Sequence, residues 1–241
     1  MAAGAAVVGI AALAWIALYG LVRGMDMPGM DEADMAVPPW SVAGFVLDFA
    51  MWLTMMVGMM LPGALPVILL YRRIAQDMAH PALRLAVFVL AYLAAWAIFS
   101  LAATAAQEIL QQWAWVTLMS VRAVPVLAML ILALAGIYQF LPLKDACLAS
   151  CRSPISFLQR HSLRTVGDGW RTGFAHGLYC VGCCWALMLV LFAVGAMNML
   201  WAAALGVLVL LEKITHGVWV SHASGWLLIG AAAWIGIVQF G

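Results

Sequence analysis

The stretch His176-Gly-Leu-Tyr-Cys180-Val-Gly-Cys183-Cys184-Trp185-Ala-Leu-Met-Leu-Val-Leu-Phe-Ala-Val194 decides how this chain is read. It carries no Asp, Glu, Lys or Arg, so it reads as the greater part of a membrane-spanning helix over residues 173–195. Wound as a helix, it sets His176, Cys180 and Cys184 at i, i+4 and i+8, one above another on a single face, with Cys183 beside them. Thiolate and imidazole together suit Cu⁺, Zn²⁺ or an iron–sulfur centre, whereas hard cations take oxygen ligands. Buried Cys also serves as a small hydrophobe. Three thiols and an imidazole within nine residues point instead to ligands or redox thiols.

Comparable runs recur along the chain. Hydrophobic residues make up 67% of the sequence and charged residues 9%, against about 25% charged in an ordinary soluble domain. The expected fold is therefore all-α: a polytopic transmembrane helix bundle of about seven spans, forming a single integral membrane domain over residues 1–241. The spans are read at 2–22, 41–62 (continuing past Pro62 and Pro66 towards Leu70), 84–107, 122–141, 173–195, 198–214 and 221–240. The first lacks a basic leading segment and a cleavage site, so it is kept as a helix rather than a signal peptide. A net charge of +1 and the lack of a basic aromatic patch give no reason to expect nucleic acid. Five clustered Cys do not make a secreted disulfide scaffold.

Lys and Arg set the expected orientation. Arg72, Arg73 and Arg84 flank the second connection. Lys144, Arg152, Arg160, Arg164 and Arg171 fall in the Cys-containing segment 142–172. Both connections are expected in the cytoplasm, while the Met- and Asp-rich loop 21–40 is expected outside. The N-terminus is then cytoplasmic. Trp40, Trp113, Trp115, Trp170 and Trp201 lie near span ends, where interfacial anchoring is expected.

Further candidate ligands lie elsewhere. The outside loop offers Met25, Met27 and Met30 among acids, a soft thioether set that resists oxidation. In span two, Asp48 and Met55 share a helical face, and a carboxylate inside an apolar span is a functional candidate by default. Met stripes otherwise serve as adaptable packing. Cys147 and Cys151 are i, i+4 on a turn of the inner segment, followed by Ser153-Pro154 as a helix start and a short amphipathic helix through Phe157 and Leu158. Glu212-Lys213 closes span six and by itself reads as a snorkelling interfacial pair. At about 1.5 Å per residue across a core of about 30 Å, Cys180, Glu212 and Met55 all fall roughly 9–10 Å from the inner face. A single sulfur-rich site of Cys147, Cys151, Cys180 and Cys183 or Cys184, with His176 as a fifth ligand, is the expected arrangement.

The Met-Met-Leu-Pro ending of span two, the Leu-Lys-x-x-Cys-Leu-x-x-Cys-Arg-x-Pro segment, the His-Gly-x-Tyr-Cys-x-Gly-Cys-Cys-Trp motif and the terminal Glu-Lys resemble a bacterial membrane family. That family is DUF2182, uncharacterised proteins described as predicted metal-binding integral membrane proteins. The resemblance covers most of residues 45–213. It implies metal binding by Cys147, Cys151, His176, Cys180, Cys183, Cys184 and Glu212, and a place in the bacterial inner membrane as a multi-pass protein.

Three functions stay open at this point. One is copper handling, in which Met25, Met27 and Met30 collect Cu⁺, Asp48 and the Met stripe carry it, and the inner cluster holds it for a partner enzyme, a delivery protein or another membrane subunit. The second is a thiol–disulfide or quinone-linked oxidoreductase using Cys147–Cys151 and Cys183–Cys184. The third is a structural subunit stapled by zinc. Copper is the favoured metal, with zinc or an iron–sulfur centre as alternatives. No hydrolase arrangement, phosphate-cradling loop or haem attachment pair is present, and no catalytic residue is assigned.

Overall fold

The computed structural model describes residues 2–25, 40–117, 121–215 and 217–240. The expected Met27 and Met30 ligands, the Met25 side chain and His216 lie outside what is described. Nine helices are formed among the described residues, and no strand beyond an isolated bridge between Val116 and Ala123. They are α1 (Ala2–Met25), α2 (Val42–Ala75), α3 (Pro81–Gln112), α4 (Pro125–Tyr138), α5 (Pro142–Arg152), α6 (Pro154–Gln159), α7 (Val166–Val194), α8 (Met199–Ile214) and α9 (Trp219–Phe240).

Local chemistry accounts for the boundaries. Four helices (α3, α4, α5 and α6) begin with proline in the first turn, where its missing N–H would have had no partner anyway and its φ is already helical. α7 begins with a capping box: Thr165 accepts from the Asp168 backbone N–H, and the Asp168 carboxylate accepts from the Thr165 N–H. Ser41 caps α2 by accepting from the Gly44 N–H at 3.1 Å. α2 runs through Pro62 and Pro66 without ending, as expected, and reaches Ala75.

Five helices (α1, α2, α3, α7 and α9) are long and apolar enough to cross a membrane. A sixth span arises if α4 and α5, which meet at a 67° bend, are counted together. The expected spans at 122–141 and 198–214 differ from this. The first is a 14-residue α4 that stops at Tyr138, and the second is a 16-residue α8, both short of the roughly 20 residues a perpendicular crossing needs. The break after α4 falls where Pro142 forces the preceding Leu141 out of helical geometry, to φ −78° and ψ 137°.

α7 is the most enclosed of the long helices and packs on α3, α4, α5 and α8. Its contact with α3 is the most extensive in the molecule. Gly173 makes that approach possible: a Cβ there would run into the carbonyl oxygen of Phe88. The link between α2 and α3 lies against the link between α6 and α7. Arg84, counted in the sequence as a topological charge, is buried and donates to the carbonyls of Ala79, Leu163 and Arg164 at 2.8–3.1 Å. The two connections expected on one side of the membrane therefore meet at one end of the bundle. At the α7 C-terminus, the Ala123 N–H donates to Phe192 O and the Ala196 N–H to Val121 O. Trp40, Trp113, Trp115, Trp170 and Trp201 are all exposed.

Candidate metal-handling site

The four chemical residues of α7, His176, Cys180, Cys183 and Cys184, are all buried, as the shared helical face predicts. Cys184 donates to its own helix at Cys180 O, 2.8 Å away, and Cys183 does the same at 3.1 Å. That back-bonding turns both sulfurs towards neighbouring helices. Cys184 Sγ lies 3.7 Å from Met60 Sδ on α2, and Cys183 Sγ lies 4.0 Å from Cys151 Sγ on α5. Cys147, one turn before Cys151 on α5, rests its sulfur against the α7 backbone at Gly182. Tyr138 of α4 supports the same turn by donating to Gly182 O at 2.6 Å.

The inner segment and α7 thus bring their thiols to one place. All five cysteines are unpaired thiols.

A second group surrounds Cys180 that sequence reasoning did not single out. Lys213 Nζ donates to Cys180 Sγ at 3.1 Å, and the Tyr92 hydroxyl stands 3.2 Å from the same sulfur while donating to Met60 O at 3.0 Å. Lys213 is buried, not snorkelling, and it fits because position 63 has no side chain. A Cβ on Gly63 would lie 2.9 Å from the Lys213 ammonium.

Glu212 is the other correction to the snorkelling expectation. It is 1% exposed and both its oxygens accept from Lys144 Nζ, at 2.7 and 2.8 Å. Lys144 also donates to Gln139, Ser224 approaches Glu212 Oε1 at 3.4 Å, and Arg152 donates to the Glu212 backbone carbonyl at 2.9 Å. The carboxylate expected among the sulfurs is instead the anion of an ion pair that ties α5 to α8.

Two further expected residues sit apart from this cluster's contacts. Asp48 accepts from Gln107 Nε2 at 3.0 Å, and Gln107 in turn accepts from Trp52 Nε1 at 2.7 Å. Met55 is buried in the hydrophobic core, and it is Met60, five residues on, that reaches a cysteine. His176 stacks between Tyr92 and Phe157, with ring centroids at 5.8 and 5.0 Å, and its Nδ1 is buried without a hydrogen-bond partner.

Among the described residues, no group of three or more His, Cys, Asp or Glu side chains is arranged to hold a metal ion. Zinc and iron–sulfur sites call for such groups of three or four, and nothing here supports either. Monovalent copper is a soft ion that accepts thiolate and thioether alike. Two sulfurs each about 2.3 Å from one ion at tetrahedral to trigonal angles stand about 3.8–4.0 Å apart. The Cys184–Met60 and Cys151–Cys183 separations match that spacing.

No curated protein matches this chain, and no solved structure does. A family model does match, over residues 49–235, a span that holds all five cysteines, His176, Met60, Lys144 and the Glu212–Lys213 pair. Its label differs from the one the motifs resemble, and it is specific about the metal: the chain belongs to the PpoB2 family, described as a copper chaperone.

Proposed function

We propose that this protein is a multi-pass membrane copper chaperone whose cargo is Cu⁺, held between paired sulfurs, Cys184 of α7 with Met60 of α2 and Cys183 of α7 with Cys151 of α5, beside Cys180. Cys147 stands by on α5, and His176 lies one turn from Cys180. The membrane is the bacterial inner membrane, the N-terminus is cytoplasmic, and the cluster lies near the cytoplasmic face, where a reducing environment keeps thiols free. Met25, Met27 and Met30 collect the ion outside, and Asp48 and the Met stripe of α2 lie on its route. The recipient is a metalloenzyme or a membrane subunit of one.

One observation carries this reading: two pairs of sulfurs, from three different helices, stand at the separation that a shared soft ion requires. The family description supports the choice of copper. The test is copper analysis of protein purified in detergent without oxygen, with competition against a Cu⁺ chelator. Near one Cu⁺ per chain is expected, lost in the Cys180→Ser/Cys183→Ser/Cys184→Ser variant. Absence of bound copper from protein with all thiols intact sinks the reading.

The 4.0 Å approach of Cys151 to Cys183 also favours a second reading, thiol–disulfide exchange between α5 and α7. Thiol titration with and without reductant separates the two: equal counts favour the carrier, and two fewer thiols without reductant favour exchange.

A further inference from the structure

At the junction of α5, α6 and α7 lies a recess of about 200 Å³, lined by Ser150, Ser153, Ser156, Phe157, Arg160 and Tyr179 among others. Phe157 lines it and also packs on His176, with ring centroids 5.0 Å apart, while Tyr179 stands edge-on to Phe157 at 6.1 Å. His176 is 2% exposed and its Nδ1 has no hydrogen-bond partner. A buried ring nitrogen without a hydrogen bond costs free energy, and this one is left with its lone pair or proton unused. Phe157 thus links the recess to His176, and His176 is one helical turn from the sulfur cluster's Cys180.

We propose that this recess is the inner port, at which the sulfur cluster exchanges Cu⁺ with thiolate carriers on that side of the membrane, with Phe157 as its shutter and His176 as a relay ligand between the port and Cys180. The inference rests on the carrier reading above. The cargo at the port is an anionic Cu⁺ complex of thiolates, either a small thiol or the cysteines of a partner protein. Ser150, Ser153, Ser156, Arg160 and His161 line the recess and no carboxylate does, which suits a negative complex better than a bare cation. Transfer is ligand exchange. As His176 Nδ1 bonds the ion, one donor thiolate departs with its electron pair. As Cys180 Sγ bonds, the second donor thiolate leaves and Nδ1 lets go. Copper stays monovalent throughout, no electron moves, and any proton on Cys180 passes to a departing thiolate.

The experiment is stopped-flow transfer of Cu⁺ from its glutathione complex to the full-length protein in detergent, without oxygen, paired with equilibrium chelator competition. A relay ligand alters rates in both directions and leaves affinity alone. His176→Phe, which keeps a flat ring in the stack, should slow uptake and release together by about ten-fold or more while the equilibrium constant stays within about three-fold. Phe157→Ala should speed both, with Phe157→Leu as the milder version should the alanine variant misfold. Arg160→Glu should slow uptake from the anionic complex. Trp234→Phe, on the exposed face of α9, should match the wild type.

Unchanged rates in the His176 and Phe157 variants overturn the port. So does loss of affinity in His176→Phe, which would make the histidine a resident ligand. Failure of the wild-type chain to bind Cu⁺ at all is a different result, and overturns the carrier reading itself. Uptake from a cysteine-containing donor peptide but not from glutathione keeps the port and identifies its donor as protein.

Discussion

Replacing Glu212 by Gln is the sharpest structural test of the buried charges, because it keeps shape and removes only charge. Lys144 Nζ lies 2.7 and 2.8 Å from the two carboxylate oxygens, and the two side chains are 0% and 2% exposed. At those separations and an effective dielectric constant near 20, the direct attraction is about 4–6 kcal/mol. Much of it offsets the desolvation of the two ions, so the pair adds little net stability over an apolar pair. Breaking it is another matter: an uncompensated Lys144 inside the bundle costs about 3–5 kcal/mol. Glu212→Gln should therefore lower the melting temperature in detergent by roughly 6–20 °C, from the usual relation for chains of this length. Lys144→Met combined with Glu212→Leu should restore stability to within about 2 kcal/mol of the wild type.

Circular dichroism melts read the stability, and copper analysis of the double variant reads the function. A Glu212 that only ties α5 to α8 leaves bound copper near its wild-type level in the double variant. A Glu212 that ligates copper loses it there. Two results would refute the reasoning about the pair: Glu212→Gln melting within about 2 °C of wild type, or a double variant as unstable as the single one.

Three other expectations follow from single contacts. Met60→Leu removes the thioether 3.7 Å from Cys184 and should weaken Cu⁺ binding by about ten-fold, whereas Met55→Leu, a near-isosteric core swap, should leave chelator competition curves unchanged. Gly173→Ala drives a methyl group into the Phe88 carbonyl and should destabilise by about 1–3 kcal/mol in thermal melts, while Gly9→Ala, which meets nothing within 4 Å, should be neutral or slightly stabilising. Thr165→Ala removes the cap of α7 and should cost about 1 kcal/mol, read as faster hydrogen exchange over the first turn of that helix.

Much of the helical layout was legible because apolar runs and prolines are local signals. Pro81, Pro125, Pro142 and Pro154 each open a helix, and Pro142 already marked the break between the expected span 122–141 and the segment that follows it. The α7 ligand face was legible for the same reason, since i, i+4 spacing fixes a face before any tertiary contact forms. The partners from other helices were not. Four Met residues crowd positions 55–60, and helical phase alone cannot choose among them when a neighbouring helix makes the choice. Lys213 and Glu212 read as snorkelling because a charged residue at a helix end normally reaches water. One signal was available. Lys144 falls beside an apolar run, and a buried carboxylate needs a cation, so Glu212 and Lys144 were a pairing to be sought before Glu212 was given to a metal.

Lys213 then separates a carrier from a staple. Its ammonium is 3.1 Å from Cys180 Sγ, and the groups around it that can carry negative charge are thiols and the Tyr92 phenol. An ion bonded to that sulfur at about 2.3 Å would lie within about 5.4 Å of the ammonium, where two like charges repel by about 3 kcal/mol at an effective dielectric constant near 20. A structural zinc site has no use for such a neighbour, since its role is to stay closed. A protein that must surrender its ion gains from it. The buried cation steadies the thiolate before copper arrives and repels copper once bound, so binding and release are drawn closer in free energy. The same lysine beside the same cysteine in a redox pair would favour the thiolate without the second effect. Weak, reversible copper binding that tightens in Lys213→Met at a pH high enough to keep Cys180 ionised is therefore the outcome specific to a carrier, and binding that weakens there would tell against it.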